Sequence, residues 1–325
     1  MNETRPIEPV PLDEIRSAAE RLAGTVLRSP LLPLEIGGTN VELYIKLENL
    51  QAIGSFKIRG AGNAIAKLSR EALADGVYTA SAGNMAQGVA WNARRLGIPS
   101  ATVVPDHAPR AKLDRVEQLG MRTVLVKFER WWQVLEESHY PGLSGRFIHP
   151  FADPDVIAGN GTIGLEIFEQ LPGVRNVVVP FGGGGLSTGI ACAVKALNPR
   201  VRVFAAEVET AAPLAASLGL DRPANVPYTA SWVDGIGSGS LLSRMWPAVS
   251  SLLDGSIVVS LEEVANAMRL LATRGRVIAE GAGAAAVAAA LTGKAGGGPT
   301  VAVVTGGNID AVTLAGILGL TATHP

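Results

Sequence analysis

The sequence predicts an α/β protein built from parallel sheets flanked by helices. Strand-like and helix-like patterns alternate along almost all of the 325 residues, and this alternation is typical of βαβ units. A chain of this length exceeds the usual size of one core, so two domains are expected. Three consecutive strand–helix units occupy residues 75–150, where they can form a smaller sheet of their own.

Each element is recognised by its periodicity. Strands show short runs of apolar and β-branched residues, whereas helices show apolar residues at helical spacing. The first half predicts strands at 41–48, 77–80, 100–105 and 122–127, followed by helices that begin near 57 and then span 84–96, 111–119 and 131–138. The second half predicts strands at 177–180, 201–205 and 300–305, each followed by a helix. The strand at 41–48 alternates like a half-buried one.

Composition excludes several function classes. The net charge of −1 gives no reason to expect a nucleic acid or an anionic membrane as partner, and no apolar run is long enough to span a membrane. The single cysteine, Cys192, rules out an intrachain disulfide and is expected to be a buried thiol. Residues 1–9 lack the apolar region of a secretory signal, so a cytoplasmic location is expected.

Lys57 is the first candidate for chemistry. It lies in Ser55–Gly60, on the predicted first turn of a helix that follows a strand and a turn. The positive end of a helix disfavours an ammonium and lowers its pKa, and a lysine that loses its proton can attack a carbonyl. A solvated lysine beside Arg59 is the alternative interpretation.

A run of glycines is the candidate anion site. After the strand at 177–180 the chain continues into a helix through Gly182, Gly183, Gly184, Gly185 and Leu186. Free N–H groups at a helix start suit a phosphate, although a strained turn would also use glycine. No P-loop lysine follows. The run Gly281–Ala286 matches a dinucleotide template, but close helix packing explains it better because no acidic residue follows at the required distance.

Two further polar turns follow predicted strands. Ser81–Asn84 could face a ligand carboxylate, and Thr305–Asn308 also opens a helix, although either could be an ordinary helix cap. If the sheet is doubly wound, all four polar helix starts meet at one edge. None of the histidines stands in metal-ligand spacing, and no carboxylates cluster.

Together these motifs resemble a known family. The sequence is similar to the pyridoxal-phosphate enzymes of fold type II, the tryptophan synthase β-like fold, and within them to the serine/threonine dehydratase (threonine ammonia-lyase) and serine racemase group. The resemblance covers residues 20–320. It rests on four segments in order, with two supporting ones: Ser55–Ala61, Ser81–Asn84, Gly182–Leu186 and Thr305–Asn308, then 149–151 and 156–162.

The resemblance implies a fold and a cofactor site. Two open, twisted, mainly parallel sheets are expected, with a large domain (1–74 and 151–325), a small domain (75–150) inserted in it, and the site between them. Lys57 would form the Schiff base with pyridoxal 5′-phosphate and exchange the Cα proton, with Phe56 near the ring. Asn84 would bond the ring hydroxyl, residues 182–186 would bind the phosphate, and Thr305 would face the pyridine nitrogen.

The resemblance also implies the reaction. The turn formed by Ser81, Ala82, Gly83 and Asn84 would take the substrate carboxylate. A neutral Thr305 hydroxyl leaves the ring nitrogen unprotonated, which favours loss of a β-substituent over transamination. The implied function is dehydration of L-threonine or L-serine to a 2-oxo acid and ammonia, by a cytoplasmic homodimer.

Departures from the family pattern decide between relatives. Ala82 replaces the serine with which racemases exchange a proton, and Met85 stands where many dehydratases have histidine. Glu207 is a weak candidate metal ligand, since Pro213 replaces a second carboxylate, so no metal is expected. Glu280 matches a glutamate near the cofactor.

Three alternatives stay open at this point. One is a serine racemase, and another is a dehydratase of a different β-substituted amino acid such as 3-hydroxyaspartate. The third belongs to another class, a non-catalytic protein that binds a phosphate ligand or a dinucleotide.

Overall fold

A computed structural model describes residues 5–37 and 41–319. The strands, in chain order, are β1 (Leu31–Pro33), β2 (Leu43–Leu47), β3 (Val77–Ala80), β4 (Ser100–Pro105), β5 (Arg122–Val126), β6 (Arg146–Phe147), β7 (Asn176–Pro180), β8 (Arg202–Val208), β9 (Gly255–Val259) and β10 (Thr300–Val304). The helices are α1 (Leu12–Leu22), α2 (Lys57–Ala66), α3 (Arg70–Ala74), α4 (Asn84–Leu96), α5 (Arg110–Gln118), α6 (Phe128–Glu137), α7 (Pro154–Gln170), α8 (Gly185–Leu197), α9 (Pro213–Leu220), α10 (Trp246–Leu252), α11 (Leu261–Leu270), α12 (Gly281–Leu291) and α13 (Ala311–Leu318).

The strands form two sheets. The larger has the order β1-β2-β10-β7-β8-β9, and every neighbouring pair in it is parallel except β1 with β2. The smaller has the order β5-β4-β3-β6 and is parallel throughout. This confirms the predicted fold class.

Helices cover both faces of the large sheet, because its strands are apolar on both sides. Along β7, Val177 and Val179 enter a cluster with α7 and α8, whereas Val178 enters the opposite cluster with α11 and α12. Side chains alternate between the two faces of a strand, so a continuous apolar run is what a sheet buried on both faces requires.

The two faces of the small sheet are covered by different helices. On one face, Tyr78 and Val103 pack against α6. On the other, Val77 packs with α4 and with residues of α2 and α7, which flank the large sheet. The two sheets therefore share a layer of helices, and Lys57 begins a helix of that layer. The domain boundaries at 74/75 and 150/151 stay a prediction, and residues 1–4, 38–40 and 320–325 of the large domain lie outside the described residues.

Most element boundaries agree with the predicted ones to within three residues, but one interpretation is wrong. The strand predicted as half-buried is β2, in which Leu43, Ile45, Lys46 and Leu47 are all buried and only Tyr44 is partly exposed. The polar residue between the apolar ones is Lys46, and its charge is buried and does not face solvent. Strands β1, β6 and β9 were not predicted from the sequence. Within residues 5–37 and 41–319, no helix is both long and apolar enough to cross a membrane.

Candidate active site

Lys57 is the first residue of α2, directly after the turn that follows β2. Lys57 as a whole residue is half-buried, but its amine is enclosed by protein, and Nζ donates to the Pro150 carbonyl oxygen at 2.6 Å. Burial lowers the pKa of Lys57 from 10.5 to about 8. The alternative of a solvated lysine beside Arg59 is therefore wrong.

The segment 149–151 connects Lys57 to the glycine turn. Its Pro150 receives the Lys57 hydrogen bond, and its Phe151 packs on the turn between β7 and α8. A Cβ on Gly183 would overlap the Phe151 ring, and a Cβ on Gly185 would overlap the Phe151 carbonyl. Gly184 has a φ of +88°, a conformation that favours glycine. Glycine is needed here for close approach as well as for backbone conformation.

The glycine turn offers free donors. Among the described residues, none accepts a hydrogen bond from the N–H groups of Gly182, Gly183 or Gly184. The first N–H groups of α8 also lack partners within their own helix, since a helix leaves its first four unsatisfied. Leu186 is buried in that first turn. The turn thus has the donors and the positive helix end that a phosphate requires.

Phe56 and Thr305 meet on the other side of Lys57. The Phe56 N–H donates to the Thr305 carbonyl at 3.0 Å, and Ser55 pairs with Gly306 in an isolated bridge. The Phe56 ring centroid lies 5.1 Å from Lys57 Nζ. Thr305 is buried at the end of β10, so the last strand and the lysine turn are joined by main-chain contacts.

Asn84 and Glu280 approach the site from different sheets. Asn84 begins α4 and donates to Glu280 Oε1 at 2.7 Å, while Asn308 donates to Asn84 Oδ1 at 2.8 Å. A Cβ on Gly306 would overlap the Glu280 carboxylate, so that position has no room for a side chain. Burial raises the pKa of Glu280 to about 7, against the opposing effect of the Asn84 hydrogen bond.

The Ser81–Asn84 turn is half-buried and faces open space. Ser81 Oγ accepts from the Gly83 N–H at 3.1 Å, and the backbone of Ser81 is bonded at both ends to the Thr102 hydroxyl. A Cβ on Gly83 would meet nothing within 4 Å. Helix α4 packs against α2 closely enough that a Cβ on Gly88 would lie 2.9 Å from the Lys57 carbonyl oxygen. The helix that this turn opens is therefore packed beside Lys57, and the turn itself has room for a ligand at Gly83.

Two other candidates have structural roles. Glu207 accepts from the Leu214 and Ala215 N–H groups at 2.9 and 2.8 Å and from Ser256 Oγ at 2.6 Å, so its oxygens stabilise the start of α9. No group of metal-ligating side chains occurs in the described ranges. In the dinucleotide-like run, a Cβ on Gly283 would overlap the Gly306 carbonyl, so close packing explains that glycine.

The residues fit a phosphorylated aldehyde. A buried amine with a lowered pKa suits capture of the aldehyde, and the glycine turn across Phe151 suits the phosphate. No role was predicted from the sequence for Pro150 or Asn308. Both lie within segments that carry the family resemblance, but neither a backbone carbonyl nor a hydrogen bond to another asparagine leaves a signal in sequence.

Comparisons with known proteins agree with this chemistry. The family model described as pyridoxal-phosphate dependent enzyme matches residues 10–306. The chain belongs to this family. It is 42% identical over 310 residues to an L-threonine ammonia-lyase of Thermotoga maritima, covering 93% of this chain and 76% of that one. It is 38% identical over 318 residues to the catabolic L-threonine dehydratase TdcB of Escherichia coli, covering 96% and 97%.

Solved structures show the same architecture. Maize serine racemase superposes with a TM-score of 0.87 at 33% identity, over 94% of this chain and 96% of that one. The processed form of threonine deaminase isoform 2 from Solanum lycopersicum gives 0.83 at 33% identity, over 98% of each chain. The predicted family, fold type, cofactor and enzyme class are confirmed.

Proposed function

We propose that the protein is a pyridoxal-phosphate-dependent ammonia-lyase that converts L-threonine, L-serine or both to a 2-oxo acid and ammonia. The observation that carries the proposal is the Lys57 amine, which is buried, has a pKa of about 8 and lies across Phe151 from a glycine turn with free donors. The relatives named as threonine ammonia-lyase and dehydratase support this substrate class.

The cofactor would be held by residues around Lys57. Lys57 would attach it covalently, Phe56 would lie beside its ring, and the N–H groups of Gly182–Leu186 would hold its phosphate. Asn84 would bond the ring hydroxyl, and Thr305 would face the pyridine nitrogen. When bound, pyridoxal phosphate withdraws electrons from the substrate and so acidifies its α-proton.

Lys57 would move that proton. An amine with a pKa of about 8 exchanges a proton readily near neutral pH, and it has both forms available within the working range. The substrate carboxylate would lie on the Ser81–Asn84 turn, which has open space at Gly83. Loss of the β-hydroxyl as water then leaves an enamine, which hydrolyses to the 2-oxo acid and ammonia.

Ala82 favours dehydration over racemisation. Racemisation needs a second group that returns a proton to the opposite face of Cα, and a methyl side chain cannot do so. Glu280, with a pKa of about 7, accepts a hydrogen bond from the Asn84 amide and would lie near the cofactor without acting on Cα.

Replacing Lys57 by alanine tests the proposal. We expect ammonia release from L-threonine and L-serine to fall by about 10³-fold or more, since both proton transfer and attachment are lost. Lys67→Ala is the matched control, because Lys67 is an exposed residue at the C-terminal end of α2, the helix that Lys57 begins, and it pairs with Asp155. Retained turnover in Lys57→Ala would refute the role of Lys57. A panel of β-hydroxy amino acids assayed for ammonia would rank the substrates.

Chiral analysis separates the racemase alternative. Incubation with L-serine is expected to give pyruvate and ammonia with little D-serine. Accumulation of D-serine without pyruvate would contradict dehydration, and would mean that a residue other than Ala82 protonates the second face.

We also propose a homodimer in the cytoplasm, on the pattern of the family and of the single buried thiol, Cys192. Light scattering of the purified protein and cell fractionation would test these two statements. A monomeric mass, or recovery in a membrane or secreted fraction, would contradict them.

A further inference from the structure

His149 is a buried histidine to which the proposed reaction gives no role. It is 2% exposed and lies between β6 of the small sheet and Pro150, which contacts Lys57. Its Nε2 lies 3.0 Å from the carbonyl oxygen of Leu135, in the last turns of α6. Its Nδ1 accepts hydrogen bonds from the N–H groups of Phe151 at 3.2 Å and Ala152 at 2.8 Å.

These contacts define one form of the imidazole. Two N–H groups point at Nδ1, so Nδ1 must be unprotonated, and the proton must be on Nε2, where it is donated to Leu135. Phe147 and Phe151 contact the ring edge-on, with centroids at 5.8 and 4.6 Å. The ring is therefore fixed by three hydrogen bonds and by aromatic packing on two sides.

Protonation of this ring is opposed from several directions. Burial lowers the pKa of His149 well below its usual value of 6.5, and the charges of Arg244 and Lys57 lower it further. His149 lines a cavity together with Asp153 and Arg146, but Asp153 accepts hydrogen bonds from the N–H groups of Asp155 and Val156. The neutral form with Nδ1 as acceptor is thus the one present at neutral pH.

The residues that follow His149, Pro150 and Phe151, shape the candidate site. Within the part of the chain that the structure describes, Pro150 supplies the acceptor for Lys57 Nζ, and Phe151 fills the space above Gly183 and Gly185. If this segment moved, the glycine turn would lose its covering ring and the Lys57 amine would lose its acceptor.

We propose that His149 is a positioning residue, which through Nδ1 holds Pro150 and Phe151 in place and thereby sets the placement of the Lys57 amine relative to the glycine turn. The proposal rests on the proposed function, in which Lys57 attaches the cofactor. The bond from Nε2 to Leu135 anchors this arrangement to α6, so the small sheet contributes to a site built mostly on the large one.

Two substitutions separate the two nitrogens. In His149→Asn, Oδ1 takes the place of Nδ1 and can still accept from the main chain, while the donor to Leu135 is lost. In His149→Gln, Nε2 takes the place of the imidazole Nε2, and the acceptor for Phe151 and Ala152 is lost. His139→Gln is the control, because His139 is exposed and lies two residues beyond the end of α6.

Two measurements on the full-length protein test the proposal without an activity assay. The first is the dissociation constant for pyridoxal phosphate, from equilibrium dialysis. The second is the pH dependence of borohydride trapping of pyridoxal phosphate on Lys57, read by mass spectrometry. We expect His149→Gln to weaken binding about tenfold or more and to shift the trapping midpoint away from about 8, because buried donors lose their acceptor and the Pro150 carbonyl that holds the Lys57 amine is displaced. His149→Asn should stay within about threefold of the parent protein.

The outcomes are distinguishable. If the parent protein traps no cofactor on Lys57, the proposed function itself fails. If the parent traps it and both variants behave like His139→Gln, the positioning role is refuted. Equal damage in Asn and Gln variants, with equal losses of melting temperature, would also overturn it, because that result indicates general packing instead of a role for Nδ1.

Discussion

Two buried cations lie on opposite sides of α2, and their surroundings differ. Lys57 faces the candidate site, where its acceptor is the Pro150 carbonyl. Arg59 is on the far side, 1% exposed, and forms ion pairs with Glu48 at 2.8 Å and Glu166 at 2.7 Å. Two residues apart in sequence, one cation has no carboxylate partner among the described residues and the other is surrounded by them.

The carboxylate-rich region is a connected network. Lys46 joins it from β2, where it is fully buried, through Glu166 at 2.6 Å and the Ser29 carbonyl at 2.7 Å. Although Glu48 is fully buried, Arg59 lowers the pKa of its carboxyl. Because these charges are matched, the network fixes α2 against α7 and β2. The charged groups of the network pair with one another, whereas the Lys57 amine is available to a ligand. Burial shifts the pKa of a charged group towards reactivity only where no opposite charge compensates for the lost hydration.

Breaking the network should have the largest effect on stability. Arg59→Met leaves Glu48 and Glu166 buried with fewer cations, so we expect a loss of about 3–5 kcal/mol in the free energy of unfolding. Urea denaturation followed by circular dichroism would measure it. Lys57→Met is the matched comparison and should lose little stability or none. A loss below about 1 kcal/mol in Arg59→Met would show that the network is not structural.

The pH dependence of stability sharpens the same contrast. Below about pH 8 the folded, cofactor-free protein holds a charged, buried Lys57, so the destabilisation is complete there. Between pH 8 and 10.5 the unfolded chain binds more protons at this position than the folded one. The free energy of unfolding should therefore rise with pH, relative to Lys57→Met, by up to about 3 kcal/mol. Parallel pH profiles of the two proteins would contradict an uncompensated Lys57.

A surface lysine gives the smallest expected effect. Lys112 in α5 pairs with Asp234 at 2.6 Å, in the loop between α9 and α10, so the pair joins the two sheets at an exposed position. Lys112→Ala should reduce the free energy of unfolding by less than about 1 kcal/mol, because solvent screens exposed pairs. The measurement is thermal unfolding at low and high salt, and a larger loss would indicate that this pair is shielded from water.

Local patterns indicate the candidate site more clearly than they indicate the network. Lys57, the glycine turn and Asn84 each follow a strand, and parallel topology brings the ends of strands together. The network could not be recognised, because Glu166 is 107 residues from Arg59 and Lys46 resembles a solvent-facing residue in an alternating strand. Which face of β2 is covered depends on helices far along the chain. The Glu280–Asn84 hydrogen bond joins positions 196 apart, so it could not be recognised from the sequence either.

The strand order has a consequence for biosynthesis. The small sheet is complete in sequence by residue 147, so it can pair its strands early in translation. In the large sheet, β10 lies between β2 and β7, and it is the last of the described strands to emerge from the ribosome. Until residues 300–304 are available, β2 and β7 both have an unpaired inner edge, a state that favours aggregation or chaperone binding. Nascent chains arrested before this point should therefore be protease-sensitive around Lys57, however long they already are.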